Sequence, residues 1–150
     1  TVTRGMMVTV LYRIAGAPAV DAEDAKYFSD AQGKYYTDAV GWAKANGIVN
    51  GISATRFAPN SNITRQDAMT IFYRYCVEYN LIPVDSGLEL EGFDDQGSVA
   101  AFAEDAFAWA VSTGLVKGSA EAEGCYLNPV SNLNRAQAAV LLQRCVEDIM

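Results

Sequence analysis

A chain of 150 residues and 16.2 kDa carries one ordinary domain's worth of core, and with 51% apolar against 19% charged residues it is too hydrophobic to remain disordered. A formal charge of −7 and a pI near 4.4 exclude a protein that grips nucleic acid through a general positive field, and the absence of histidine removes Ser-His-Asp catalysis and His-ligated zinc. The longest apolar run, Ala106 to Val111, is far below the ~18 residues of a membrane helix, so no membrane insertion is expected, and no basic-then-apolar signal segment opens the chain at Thr1.

In chain order, Thr3-Arg4 opens the first predicted helix, near 3–15, with Thr3 as N-cap and an apolar stripe through Met7, Val10, Leu11 and Ile14. Pro18 to Ala25 is acidic and lacks helical periodicity, so it reads as a link. Phe28 and Asp30 follow, then a short helix near 35–46 that carries Trp42 and stops at Gly47, with Gly51 in the loop beyond and Pro59 rigidifying the approach to the next cap. The second long helix runs near 64–80 from Thr64-Arg65. Pro83 to Glu91 is another link, after which Phe93 and Asp95 lead to a second short helix near 101–113 with Trp109, ending at Gly114, with Gly118 beyond. A third long helix, near 134–149, opens at Asn134-Arg135, where Gln137 completes a capping box.

The long helices share an Arg-x8-Arg frame: Arg4 with Arg13, Arg65 with Arg74, and Arg135 with Arg144, at offsets of 61 and 70 residues. The Trp-bearing stretch occurs twice, as Phe28-x-Asp30, Trp42-Ala43, Gly47-Ile48-Val49, Gly51 and Phe57-x-Pro59, and as Phe93-x-Asp95, Trp109-Ala110, Gly114-Leu115-Val116, Gly118 and Leu127-x-Pro129. Such periodicity marks serial copies of one unit rather than independent domains. An arginine in a helix's first turn opposes the helix dipole, so helix propensity does not explain Arg4, Arg65 or Arg135. Arg13, Arg74 and Arg144, nearer the C-terminal ends where a cation is favoured, read as structural.

This ordered pattern closely resembles the S-layer homology repeat of bacterial surface proteins over nearly the whole chain. On that resemblance 1–15 is the last helix of an incomplete first repeat, 26–80 the second repeat and 91–149 the third. The resemblance implies an all-α module: a pseudo-threefold assembly of repeats around a central three-helix bundle, with the short Trp-bearing helices and loops outside. It also implies non-catalytic binding of secondary cell-wall polysaccharide, often pyruvylated, in grooves between repeats. Such a module would anchor a secreted S-layer or other cell-surface protein noncovalently to a Gram-positive-type wall. Carried over by motif position, the ligand-binding residues are Arg4, Arg65 and Arg135, with Trp42 and Trp109, and with Gly51 and Gly118 lining the approach. The acidic motif position holds Met6, Asp67 and Gln137, and the third copy departs further, with Asn134 for threonine and a loop at Ser119 to Gly124 three residues longer than its counterpart.

The chemistry is coherent. A pyruvate ketal presents a carboxylate beside an apolar sugar face, which suits a planar guanidinium fork next to an indole. Each Trp also suits core packing, and each arginine a surface pair with a neighbour such as Asp67. A second reading is a structural or protein-interaction module that assembles with another chain, or with the missing N-terminal half-repeat, through the incomplete repeat. A glycosidase is not expected, because no carboxylate pair recurs at a suggestive spacing. No cofactor or metal is expected either: the acidic turns at Asp30 and Asp94-Asp95 lack an EF-hand's bidentate Glu, and Cys76, Cys125 and Cys145 show no C-x-x-C spacing and read as small buried hydrophobes.

Overall fold

The computed structural model describes residues 1–82, 89–121 and 124–149, with 119–121 described by their backbone alone. It is mostly helical, as expected: α1 (Arg4–Ile14), α2 (Ala22–Ala25), α3 (Thr37–Ala45), α4 (Arg65–Glu78), α5 (Glu104–Ser112) and α6 (Arg135–Asp148), joined by short 3-10 turns. Contacts divide the chain into two compact units, Val2–Ile63 and Thr64–Met150, the latter taking in Thr1. Each unit begins with a long helix and continues into the Trp-bearing segment that follows it, so the packing units are offset by half a repeat from the sequence copies.

The caps form as their side chains dictate. The Thr3 hydroxyl accepts from the Met6 amide, Thr64 from Asp67, and Asn134 with Gln137 makes a complete capping box. In the first unit α3 packs on α1, with the Trp42 and Tyr12 ring centroids 5.5 Å apart, over a core that includes Met7, Val8, Leu11, Phe28, Ile48 and Phe57. The second unit repeats this with α5 on α4, where Trp109 meets Tyr73 at 5.7 Å over Met69, Phe72, Phe107, Leu115 and Leu127.

Three local results differ from the sequence reading or add to it. The end of the Pro18–Ala25 link is helical: one turn needs no apolar period, Glu23 and Asp24 suit its N-terminal dipole, and it lies so close to α3 that a Cβ on Gly41 would sit 2.7 Å from the Ala25 Cα. The long loop of the third copy contains a small antiparallel pairing, β1 (Ser119–Glu121) with β2 (Gly124–Tyr126), so the elements of the described residues are helical apart from this pairing. Cys76 and Cys145 are buried and in contact with each other, as the small-hydrophobe reading expects, whereas Cys125 is only half-buried. That contact and burial push the Cys76 thiol far up, so it is a poor thiolate. Of the second link, 83–88 lies outside the described residues.

Candidate functional site

The site is built on a latch that occurs once in each unit. In the first, both Asp30 carboxylate oxygens accept backbone N–H bonds, from Phe57 at 2.9 Å and Ala58 at 2.8 Å. In the second, Asp95 does the same for Leu127 at 2.8 Å and Asn128 at 2.7 Å. The freed carbonyls then face the arginine at the head of the long helix: Arg4 Nε donates to the Phe57 carbonyl at 3.0 Å, and Arg65 Nε to the Leu127 carbonyl at 2.8 Å. Backbone bonds complete the join, from Arg4 and Gly5 to the Ser61 and Pro59 carbonyls and from Arg65 and Gln66 to those of Ser131 and Pro129. The repeated arginine against the helix dipole thereby has its explanation: a loop carbonyl gives it a charge-assisted hydrogen bond, of order 1.5–3 kcal/mol.

Burial raises the Asp30 carboxyl, but the Phe57 and Ala58 amides with the Arg56 guanidinium, 3.7 Å away, outweigh it and hold the group below its ordinary 3.8.

The second unit carries a groove of about 490 Å³. Its charged and polar rim is Arg65, Lys117, Gln137 and Arg144, and its apolar wall includes Leu115, Val116, Val140 and Leu141. Gly118 lines it too, at φ +76°, in the left-handed region where a side chain is strained. A Cβ there would sit 2.6 Å from the Phe93 ring. Burial lowers the Arg65 pKa and Asp95 opposes that, but a guanidinium stays charged throughout. Arg144 Nη1 donates to the Leu115 carbonyl at 3.1 Å, which holds the second arginine of its frame against the Gly114–Gly118 turn.

Of the residues chosen from sequence, the structure therefore brings Arg65 and Gly118 to one groove. Trp109 is buried at 4% exposure against Tyr73, with its indole N–H unpartnered among the described residues, and Trp42 is buried at 3% against Tyr12. Arg4 is buried in the first unit with its guanidinium 4.8 Å from the Phe57 ring centroid. Gly51, at φ +84°, stands beside Phe28 as Gly118 stands beside Phe93, and Arg135 is exposed at the head of α6.

Sequence reasoning did not single out Lys117, and it read Arg144 as structural, which its bond to the Leu115 carbonyl matches, without placing it beside the groove. The signal for Arg144 lay in its frame: nine residues along an α-helix place it about half a turn out of phase with Arg135, toward the Gly-Leu-Val-Lys-Gly turn. Lys117 stands where the earlier copy has Asn50, a difference visible only when the copies are compared.

A repeated aspartate latch and a left-handed glycine turn on a helical scaffold define a module built from repeats. The chain belongs to the S-layer homology domain family, which matches at residues 27–69 and 92–139. It is 32% identical, over 99% of its length, to the surface-layer 125 kDa protein of Lysinibacillus sphaericus, and 30% identical, over 95%, to an endoglucanase of Bacillus sp. (strain KSM-635). It spans only 12% and 14% of those two proteins. Domains of this family anchor surface proteins to the cell wall and are not themselves catalysts. Among the described residues no helix is long and apolar enough to cross a membrane.

Proposed function

We propose that this chain holds its parent protein at the outer surface of a Gram-positive-type wall by binding an acidic secondary cell-wall polysaccharide in the groove of the second unit. The observation that supports this reading is the gathering of Arg65, Lys117 and Arg144 around one partly apolar cleft in a chain whose formal charge is −7. A sugar carrying a carboxylate, such as a pyruvate ketal, matches it: the carboxylate takes the cations, the ring's C–H face takes Val116, Val140 and Leu141, and Gln137 offers an amide to hydroxyls. The negative surface does not forbid this, because fields from distant carboxylates are screened beyond roughly 8 Å at physiological salt.

Arg4, Trp42 and Gly51 in the first unit, and Trp109 and Arg135 in the second, stand as the family-derived counterparts. The buried tryptophans act in this reading by seating the long helices rather than by stacking on sugar.

The test is retention of the chain on purified wall polymer before and after mild acid strips pyruvate. Binding that falls at least tenfold on stripping supports the carboxylate assignment. Arg144→Gln and Lys117→Gln, which leave the Asp95 latch intact, are expected to weaken binding of the untreated polymer several-fold each. Unaltered binding in both variants would remove the groove from the proposal.

A further inference from the structure

The latch and the groove leave the two buried cysteines unused. Cys76 lies in the last turn of α4 and Cys145 in the last turn of α6, both at 0% exposure, with their sulfurs in contact. The fold sets them at one level. The heads of the two helices are tied together by the Thr64–Asn132 bridge and by the Arg65 and Gln66 amides on the Ser131 and Pro129 carbonyls. Cys76 is the twelfth residue after the Thr64 cap and Cys145 the eleventh after the Asn134 cap, so at about 1.5 Å per residue both stand roughly 16–18 Å along their helices.

We propose that Cys76 and Cys145 are a latent disulfide, closed by exchange with a small-molecule disulfide outside the cell, that staples the last turns of α4 and α6 together. Two observations carry this. The thiols come from separate helices and already lie side by side, so the approach to an S–S bond of about 2.05 Å starts from contact. A family that anchors surface proteins to the wall also works outside the cytoplasm, where thiols are not held reduced.

The two thiols are not equivalent. The Cys76 thiol donates to the Cys145 sulfur and makes Cys145 more acidic than an ordinary thiol, against the opposing effect of burial. Cys145 is therefore the attacking group: its thiolate bonds to one sulfur of the small disulfide, that S–S bond breaks, and one small thiolate leaves. Cys145 is then neutral in a mixed disulfide, and the hydrogen bond and charge that kept Cys76 protonated are gone, with burial alone still raising it. Cys76 loses its proton and attacks the Cys145 sulfur, expelling the second small thiolate. In sum the two cysteines give up two electrons and two protons, and the small disulfide is reduced to two thiols. Access comes from the helix ends, which open more readily than helix centres. The bond also pins one wall of the groove, because α6 supplies Gln137, Val140, Leu141 and Arg144. The inference stands independently of what the groove binds.

The experiment treats the reduced chain with glutathione disulfide, once folded and once during refolding from urea, and maps the products by peptide mass spectrometry. A Cys76–Cys145 cross-link is expected in one or both arms. The cross-linked chain should melt about 5–15 °C above the reduced one, and dithiothreitol should return it to the reduced value. Cys76→Ala should trap glutathione on Cys145 several-fold more than Cys145→Ala traps it on Cys76, and neither variant should show the rise in melting temperature. Equal trapping would overturn the assignment of Cys145 as the attacking group. No cross-link in either arm, disulfides that run through Cys125 instead, or a cross-linked chain that melts no higher than the reduced one would overturn the staple.

Discussion

The two units share one latch but set its arginine in different surroundings. In both, an aspartate holds two loop amides and an arginine takes the neighbouring carbonyl, with donor–acceptor distances that agree within about 0.2 Å. They diverge at the residue under the arginine. Phe57 gives Arg4 an aromatic face and helps to bury it, whereas Leu127 gives Arg65 none, and Arg65 stays half-buried on the groove. One repeated position thus serves mainly as a structural clamp in the first unit, and as clamp and available cation in the second.

The largest effect should come from the part the units share. Asp30→Ala or Asp95→Ala leaves two loop amides without their acceptor, at about 1–3 kcal/mol for each amide that stays buried, so either variant should lose about 2–5 kcal/mol in urea unfolding. A loss confined below about 0.5 kcal/mol would show that water satisfies these amides and that the latch is not what joins loop to helix.

Acid should test the first unit's latch next. Because the folded Asp30 carboxyl sits below 3.8, its stabilisation is in place above pH 3.8 and is lost as pH falls through the lower folded value. Wild-type stability should therefore fall as pH drops below 3.8, and Asp30→Asn should flatten that fall while lowering stability at neutral pH. The comparison to make is urea midpoint against pH for both proteins.

These residues also show what could be read from sequence and what could not. The helices, their caps and the left-handed glycines were legible because each rests on local chemistry: a Thr or Asn oxygen three residues from an amide, or a backbone angle open to glycine. The packing of each Trp-bearing segment on the preceding long helix was not legible, because periodicity reports which face is apolar and not which neighbour covers it. Phe28-x-Asp30 and Phe93-x-Asp95 were visible as motifs, but their role needed the loop amides 27 to 33 residues away. Arg65 and Gly118 were legible as groove residues only through family resemblance. Lys117 and Arg144 were not placed beside the groove because a lysine within a glycine turn, and a cation in the second half of a helix, each satisfy an ordinary structural expectation.

The smallest predicted effect bears most directly on the divergence between units. Phe57→Leu makes the first unit's arginine site resemble the second, removing a cation–π contact of about 0.5–2 kcal/mol together with part of a fully buried ring. Leu127→Phe is the reverse exchange: it offers Arg65 a ring at the risk of overpacking, which costs about 1–3 kcal/mol where the core cannot adjust. If the residue beneath the arginine sets how available its charge is, Leu127→Phe should weaken binding of acidic wall polymer about two- to fivefold while the Leu127 carbonyl keeps its bond to Arg65 Nε. Phe57→Leu should destabilise the first unit by about 1–2 kcal/mol and leave that binding unchanged. Equal binding by wild type and Leu127→Phe, measured by calorimetric titration, would mean that Arg65 serves the second unit as Arg4 serves the first, leaving the groove's charge to Lys117 and Arg144.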